Sequence, residues 1–333
     1  MTLSIGLKYA LKFLKKEQKP EGLNFFKKKE ERMSKEPIYL MTLEKGYLLK
    51  KVEEAKKHIT NCNLCPHKCG VNRMEEVGIC KANHRAIVSS YGPHLGEESV
   101  LVGQRGSGTL FFGYCNLSCV YCQNHELSVY GEGETVSNER LARMMLALQN
   151  DYGCHNINLV TPTHFVPNIL EAVYLAAQNG LKLPIVYNSG GYESLETLRL
   201  LEGVIDIYMP DFKYSSTEYG KRYSKVPDYP ERAKEALEEM DRQVGGLQVD
   251  SGNIAYRGLL IRHLMLPGGL EDTKGVLEFI KKKLSPNVLV NLMNQYYPAH
   301  KAVEYEELRE RLSFMEYEEA YNYGVKLGLR LAK

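Results

Sequence analysis

The chain has 333 residues, of which 44% are hydrophobic and 25% charged, and its formal net charge is +2. This composition is that of a globular protein with a sizeable core, and it excludes a disordered or fibrous chain. No apolar stretch approaches the roughly 18–20 residues that a membrane-spanning helix needs, so no membrane attachment is expected. The near-neutral charge favours no polyanionic partner such as a nucleic acid.

The first 60 residues are predicted to form a basic helical segment. Residues 1–35 carry ten Lys and Arg against four Glu, a net charge of +6. An amphipathic helix is predicted by the spacing of Leu3, Leu7, Leu11 and Leu14. We interpret it as a helix packed on the protein body with a solvated lysine face, rather than as a docking element. Lysines interrupt its apolar start, which argues against a signal peptide and favours a cytoplasmic protein.

Residues 61–85 contain four cysteines in the pattern C-x2-C-x3-C-x10-C, formed by Cys62, Cys65, Cys69 and Cys80. Clustered thiols in a reducing compartment usually bind metal or perform redox chemistry, so we predict a metal-binding segment here. Four thiolates complete a site without a further ligand. A structural zinc ion and an auxiliary [4Fe–4S] cluster both satisfy the pattern, and the sequence leaves the two open.

From residue 107 onward, short apolar runs alternate with helical patterns. The predicted strands are residues 108–113, 157–162, 183–188, 204–210, 258–266 and 287–293. The predicted helices are residues 139–149, 168–178, 194–202, 231–243 and 272–284, with a last helix from about Tyr305 to Leu331. Nearly continuous apolar strands between helices predict a parallel sheet covered on both faces. Six such units predict an α/β fold, either an open doubly wound sheet or a partial barrel.

Polar and sulfur-bearing residues stand at the ends of the first five predicted strands. They are Cys115–Cys122, Thr161–His164, Asn188–Gly191, Asp211–Lys213 and, late on the fifth strand, Arg262. Because the carboxyl ends of parallel strands meet at one edge of a sheet or barrel, we expect these residues to gather in a single site.

The second group of cysteines, Cys115, Cys119 and Cys122, follows the pattern C-x3-C-x2-C. A structural zinc site uses four ligands, usually as two separated pairs, and no fourth cysteine lies near in sequence. A [4Fe–4S] cluster normally uses one cysteine per iron, so three cysteines leave one iron open to an outside ligand. The pattern therefore predicts a reactive iron–sulfur centre.

This pattern, with an aromatic residue, Tyr121, before its last cysteine, resembles the signature of the radical S-adenosylmethionine (radical SAM) superfamily. The resemblance implies a partial (β/α)6 barrel, which we place at residues 86–300, and the sequence pattern predicts a C-terminal helical segment at residues 301–333. It also implies a [4Fe–4S] cluster and the reductive cleavage of S-adenosylmethionine to a 5′-deoxyadenosyl radical that abstracts hydrogen. The stretches GSGTLFFGYCNLSCVYCQN, PDFKY and IRHLMLPGG resemble the pyruvate formate-lyase activating enzyme-like branch of the superfamily.

The resemblance implies roles for residues around the predicted site. Asp211 and Lys213 resemble the D-x-K element of glycyl-radical activating enzymes, and Arg262 resembles the arginine of their fifth strand. These three residues would be catalytic and would contact the cofactor. The other implied cofactor contacts are Tyr121, Thr161, Thr163, His164 and Asn188. The superfamily often has a Gly-Gly-Glu run where this chain has the sequence TPTH, so the contacts there are expected to differ.

The resemblance also suggests partners. A glycyl radical enzyme would be the protein substrate, and a flavodoxin or ferredoxin would be the external electron donor. A small molecule or an RNA is the alternative substrate, although the chain beyond residue 35 is slightly acidic, which does not favour nucleic acid. An alternative of another class is a zinc- or iron–sulfur-stabilised binding protein without catalysis, which would need a distant fourth ligand at the three-cysteine site.

Overall fold

The fold is built around a mostly parallel β-sheet flanked by helices. The structure is a computed structural model that describes residues 35–332, and the predicted helix marked by Leu3–Leu14 lies outside the described residues. From Pro37 onward the chain forms one compact unit, and the predicted segment boundaries within it stay predictions. In the described part of the chain, no helix is both long and apolar enough to cross a membrane.

The elements alternate along the chain as the sequence pattern predicts. The strands are β1 (Ala86–His94), β2 (Ser107–Phe112), β3 (Glu134–Val136), β4 (Ile157–Val160), β5 (Ile185–Ser189), β6 (Ile207–Pro210), β7 (Gln248–Val249), β8 (Ala255–Leu264), β9 (Leu289–Met293) and β10 (Arg330–Leu331). The helices are α1 (Ile38–Glu44), α2 (Tyr47–Thr60), α3 (Ser99–Val102), α4 (His125–Ser128), α5 (Asn138–Asn150), α6 (Val166–Gln178), α7 (Leu195–Leu201), α8 (Thr217–Ser224), α9 (Tyr229–Val244), α10 (Leu270–Lys283) and α11 (Phe314–Lys326).

The sheet follows the order β10-β9-β8-β6-β5-β4-β2-β1-β3, and β7 pairs with β8. All pairs from β2 to β10 along this order are parallel. Every residue of β5 and β6 is buried. On one face of these strands, Val186, Ile207 and Met209 pack in a cluster with Leu260 of β8. Within residues 35–332 the sheet is open, since β10 and β3 lie at its two ends. The predicted α/β fold with a partial barrel is confirmed: the six predicted strands correspond to β2, β4, β5, β6, β8 and β9, and the short strand β10 adds a seventh parallel strand at the edge.

An antiparallel addition at the β2 edge is not predicted by the sequence pattern. β1 pairs antiparallel with β2 from Val88 opposite Phe112 to His94 opposite Ser107, and β3 pairs antiparallel with β1. The β1 sequence AIVSSYGPH contains glycine and proline, which weaken a strand signal and are tolerated at sheet edges. The addition supports the start of the loop after β2, because the Gly113 N–H donates to the Ile87 carbonyl at 2.9 Å.

The C-terminal helix is shorter than predicted from the sequence. Two 3-10 turns precede it, and α11 spans Phe314–Lys326 instead of continuing from about Tyr305 to Leu331. Gly328 has a φ of +70°, a conformation that ends helices and that other residues rarely adopt. The chain then joins the sheet, with Arg330 and Leu331 parallel to β9.

A buried carboxylate joins the first described helix to the sheet. Asp206 is fully buried and accepts hydrogen bonds from the backbone N–H groups of Ile38 at 2.8 Å and Ile185 at 3.0 Å. The Thr42 hydroxyl on α1 donates to the Gly203 carbonyl at 2.6 Å. Burial raises the pKa of Asp206 to about 7, although the two N–H groups oppose this. The position of α1 therefore depends on polar groups that folding removes from water.

Replacing Asp206 with alanine should lower the free energy of unfolding by about 3 kcal/mol, because two buried N–H groups lose their acceptor. Urea denaturation followed by circular dichroism measures this change. The control is Glu238→Ala at an exposed position of α9, which should change the free energy by less than about 0.5 kcal/mol. Equal stability of Asp206→Ala and wild type would refute this account of how α1 is held.

Candidate functional site

A cavity of about 250 Å³ lies at the carboxyl ends of the parallel strands. The predicted site residues that line it are Cys115, Cys119, Tyr121, Cys122, Thr161, Asn188, Asp211, Lys213 and Arg262. They follow or end five strands, β2, β4, β5, β6 and β8, as expected from the geometry of a parallel sheet. The structure thus brings these nine residues together.

Hydroxyl groups support two of the three thiols in this cavity. The Sγ of Cys119 lies 3.0 Å from the Oγ of Ser224, at the end of α8. The Sγ of Cys122 lies 3.1 Å from the Oγ of Ser128, on the short helix α4. These hydroxyls can donate to a thiolate, so the surroundings suit sulfur as a ligand.

The thiols of Cys115 and Cys119 are held where they ionise with difficulty. Burial raises the pKa of Cys115, and the nearby Cys119 and Cys122 raise it further. Burial also raises the pKa of Cys119, although the cation of Lys213 opposes it. Three neighbouring thiolates therefore need positive charge beside them, and bound iron provides it. The donor set fits an iron–sulfur cluster with three protein ligands.

A carboxylate between two cations forms another part of the cavity wall. The Nζ of Lys213 donates to one oxygen of Asp211 at 2.6 Å, and the Nε of Arg262 donates to the other at 3.0 Å. Burial raises the pKa of Asp211, but Lys213 and Arg262 outweigh it and lower the pKa below its ordinary value. Arg262 also donates to the Oδ1 of Asn188 at 2.8 Å. This wall presents both charges and can bind a ligand that carries an ammonium and a carboxylate.

The turn after β5 needs glycine at positions 190 and 191, because a side chain at either position would collide with a neighbouring residue. Gly191 has a φ of +78°, and a Cβ there would lie 2.1 Å from the Asp211 carbonyl oxygen. A Cβ on Gly190 would lie 2.9 Å from a methyl group of Leu117 in the cysteine loop. The predicted small polar turn at residues 188–191 therefore lies against both walls of the cavity.

Two of the predicted cofactor contacts do not line this cavity. The Thr163 hydroxyl donates to the buried carboxylate of Glu193 at 2.7 Å. The His164 side chain is buried, and its Nε2 is hydrogen-bonded to the Gly113 carbonyl at 2.9 Å. Burial lowers the pKa of His164 to about 3, so the ring is neutral. The 3-10 turn after β4 leaves Thr161 at the cavity and places Thr163 and His164 in the interior.

The cavity also contains residues that the sequence analysis missed. Those farther along the chain are Leu264, Met293 and Gln295, and those in the cysteine loop are Gln123 and Asn124. Met293 ends β9, the sixth predicted strand. The strand-end rule finds that position when it is applied to all six strands rather than to five.

The four-cysteine segment lies beside the barrel and contains neither helix nor strand between residues 61 and 85. The hydroxyls of Ser194 and Thr197 donate to the Leu64 carbonyl at 3.2 and 2.7 Å. The guanidinium of Arg73 is buried and donates to the carbonyls of His164 and Asn83. Hydrogen bonds to the barrel thus position this irregular segment.

Two thiols of the four-cysteine segment lie around one point. A Cβ on Gly78 would lie 3.4 Å from the sulfurs of both Cys69 and Cys80, so these two thiols face the same point. Across residues 35–332, however, no three His, Cys, Asp or Glu side chains lie close enough to hold one metal ion. The predicted metal site of Cys62, Cys65, Cys69 and Cys80 stays a prediction.

The variant Asp211→Asn should lower the free energy of unfolding at pH 7 by about 2 kcal/mol, because Lys213 and Arg262 lose a partly buried counter-charge. Chemical denaturation measures the loss. The control is Glu271→Gln, which breaks an exposed ion pair with Lys274 and should cost less than about 1 kcal/mol. Similar small losses for both variants would contradict the importance of the buried group.

The difference in the free energy of unfolding between wild type and Asp211→Asn should depend on pH. Although burial raises the pKa of Asp211, Lys213 and Arg262 lower it below the ordinary value of 3.8. The advantage of wild type over Asp211→Asn is therefore fully present above pH 3.8 and shrinks as the pH falls further, when the folded protein also protonates. Unfolding curves from pH 7 down to 2.5 test this, and an advantage that grows on acidification would contradict it.

Comparisons with known proteins agree with the site. Residues 109–245 match the family model of the Radical SAM superfamily. The uncharacterised protein MJ0674 of Methanocaldococcus jannaschii is 36% identical over 292 residues, which cover 84% of this chain and 79% of that protein.

The solved structures that are similar to this chain have low sequence identity and low TM-scores. A domain of pyruvate-formate lyase-activating enzyme from Bacteroides vulgatus gives a TM-score of 0.38 at 12% identity, covering 50% of this chain and 89% of that one. Streptococcus suis SuiB bound to its precursor peptide SuiA gives 0.46 at 12% identity, covering 66% and 46%. Methylornithine synthase gives 0.41 at 14% identity, covering 66% and 67%.

The family match contains the three-cysteine loop and the Asp211–Lys213 element, and the archaeal relative extends the similarity over most of the chain. The chain therefore belongs to the radical SAM superfamily, whose members use a [4Fe–4S] cluster and S-adenosylmethionine.

Proposed function

We propose that this protein abstracts a hydrogen atom from a glycine of a partner enzyme and so generates a glycyl radical there. The observation that carries the proposal is the charged group of Asp211, Lys213 and Arg262, which lines the same cavity as the three thiols. In the sequence, the same residues resemble the D-x-K element and the fifth-strand arginine of glycyl-radical activating enzymes. Superfamily membership supports the radical chemistry, and the glycine substrate is our proposal.

Cys115, Cys119 and Cys122 would hold the cluster in this protein. When bound, the reduced cluster supplies the electron that cleaves S-adenosylmethionine and yields the hydrogen-abstracting radical. Asp211 is ionised, because two cations lower its pKa despite burial, and it can accept hydrogen bonds from an ammonium group. Arg262 and Lys213 can attract a carboxylate. These residues would orient the amino-acid part of the cofactor.

A second cavity offers a place for the substrate. It has a volume of about 520 Å³ and shares Arg262, Met293 and Gln295 with the first cavity. Glu98 lines it, and its Oε1 accepts a hydrogen bond from Asn291 at 2.9 Å. A peptide segment has backbone donors and acceptors that such polar walls can satisfy. A substrate here would lie next to the cofactor residues, as hydrogen abstraction requires.

A small-molecule substrate is the second candidate. The volume of the second cavity falls within the roughly 300–1,000 Å³ that is usual for small-molecule sites. The two candidates share the radical chemistry and differ only in the source of the hydrogen atom. A flavodoxin or ferredoxin is the proposed external reductant in both.

Radical formation is tested with anaerobic protein reconstituted with iron and sulfide. After reduction with dithionite and addition of S-adenosylmethionine, we expect wild type to form 5′-deoxyadenosine, measured by liquid chromatography. Cys119→Ala should form none above background, because the cluster loses a ligand. Cys154→Ala is the matched control, since Cys154 is a buried cysteine outside both groups, and it should retain activity.

The same assay identifies the hydrogen donor. Candidate partner enzymes carrying α-deuterated glycine should transfer deuterium to 5′-deoxyadenosine and acquire an organic-radical signal in electron paramagnetic resonance. Transfer from a deuterated small-molecule fraction, with no protein radical, would replace the glycyl proposal by the second candidate. A fully loaded, reduced protein that forms no 5′-deoxyadenosine would favour a metal-stabilised binding protein without catalysis.

A further inference from the structure

The loop between β1 and α3 carries two carboxylates to strands near the other end of the sheet. The Oε2 of Glu97 lies 3.6 Å from the Nη1 of Arg262 on β8. The Oε1 of Glu98 accepts a hydrogen bond from the Nδ2 of Asn291 on β9 at 2.9 Å. Arg262 and Asn291 are opposite each other in the parallel pairing of β8 and β9. Two consecutive residues of the loop therefore contact two neighbouring residues of the sheet.

Glu97 is the third partner of the Arg262 guanidinium. The Nε of Arg262 donates to Asp211 at 3.0 Å, and its Nη2 donates to Asn188 at 2.8 Å. The remaining nitrogen, Nη1, faces Glu97. A guanidinium is planar and its donors have fixed directions, so a partner on each nitrogen fixes the orientation of the whole group. Asp211 and Asn188 line the first cavity, whereas Glu97 lines the second cavity and not the first.

The carboxylate of Glu97 lies where an unpaired charge is costly. Its side chain is only 8% exposed. Burial raises the pKa of Glu97, the cation of Arg262 lowers it, and the nearby carboxylate of Glu98 raises it. A buried carboxylate is stabilised by a cation beside it, and removing either partner leaves the other without its counter-charge. Glu97 and Arg262 therefore depend on each other.

A histidine faces the other oxygen of Glu97. The Nδ1 of His94, at the end of β1, lies 3.8 Å from the Oε1 of Glu97. The ring of His94 packs edge-on against Phe111, with ring centroids 5.7 Å apart, and Phe111 lines the first cavity. The antiparallel strand β1 thus not only extends the sheet but also leads into a loop that places a carboxylate beside a residue of the predicted cofactor site.

We propose that Glu97 is a positioning residue, which holds the guanidinium of Arg262 in the orientation that attracts the carboxylate of S-adenosylmethionine. Because Glu97 does not line the first cavity, it acts through Arg262. Without the Glu97 carboxylate, the Nη1 of Arg262 lacks its partner, and the guanidinium can turn toward the second cavity, which Arg262 also lines. The proposal rests on the cofactor contacts of the proposed function and does not depend on the identity of the hydrogen donor.

Binding of the cofactor tests the role of Glu97 without turnover. Protein reconstituted with iron and sulfide is kept oxidised, so that S-adenosylmethionine binds without cleavage, and binding is measured by anaerobic equilibrium dialysis. Glu97→Ala should raise the dissociation constant about 10-fold, because the Nη1 of Arg262 loses its partner. Glu97→Gln keeps an oxygen acceptor for Arg262 and should recover most of the affinity. The matched control, Glu238→Gln at an exposed position of α9, should bind like wild type.

A second ligand and a second background separate positioning from a general structural effect. Decarboxylated S-adenosylmethionine lacks the carboxylate that Arg262 attracts, so Glu97→Ala should change its dissociation constant by less than about 2-fold. In the background of Arg262→Lys, Glu97→Ala should also lose its effect on S-adenosylmethionine, because an ammonium has no fork to orient. Equal losses for both ligands, or an undiminished loss in the Arg262→Lys background, would overturn the proposal.

Unfolding measurements distinguish a failure of this proposal from a failure of the proposed function. If loaded wild type binds no S-adenosylmethionine, the proposed function fails. Chemical denaturation of the same variants then still tests the pair, because the losses of stability in Glu97→Ala and Arg262→Lys should not add in the double variant. Strictly additive losses would show that Glu97 does not hold Arg262, and the positioning role would be wrong.

Discussion

The carboxylate of Asp211 between Lys213 and Arg262 is the interaction on which the cavity depends. It stands where three strands meet: the Asp211 N–H donates to the Ser189 carbonyl on β5 at 2.9 Å, and the Phe212 N–H donates to the Arg262 carbonyl on β8 at 2.8 Å. Backbone pairing thus delivers three partly buried charges to one point, where each is tolerated because the others are present. In this register, Arg262 lines the cavity at the carboxyl ends of the strands.

The gathering of the site follows from the sequence because it needs only local strand patterns. Apolar runs before Thr161, Asn188 and Asp211 identify parallel strands, and the ends of parallel strands share one edge. Which hydrogen bonds form there depends on side-chain rotamers and strand register, and a single sequence contains neither. The bond from Arg262 to Asn188, for example, joins residues 74 positions apart.

At the positions where the sequence analysis did not predict the structure, contacts between residues distant in the chain outweigh the local sequence pattern. Thr163 and His164 stand in sequence beside Thr161, but Glu193, 30 residues away, binds Thr163, and a carbonyl of the cysteine loop binds His164. The β1 strand has little periodicity of its own and is fixed by pairing with β2. In such places, partners distant in the chain decide the structure, and local periodicity carries no signal of them.

The two cysteine groups are coupled through the same loop, and this has a thermodynamic consequence. The segment of residues 61–85 has no regular secondary structure. Arg73 hydrogen-bonds it to the His164 carbonyl of the barrel, and His67 hydrogen-bonds it to the Asn116 carbonyl of the cysteine loop. Binding of the predicted metal group to its thiolates would add free energy to the folding of this segment. Because His67 holds Asn116, order gained in one cysteine group stabilises the backbone of the other. The fold of the four-cysteine segment and the fold of the cysteine loop therefore stabilise each other through this contact.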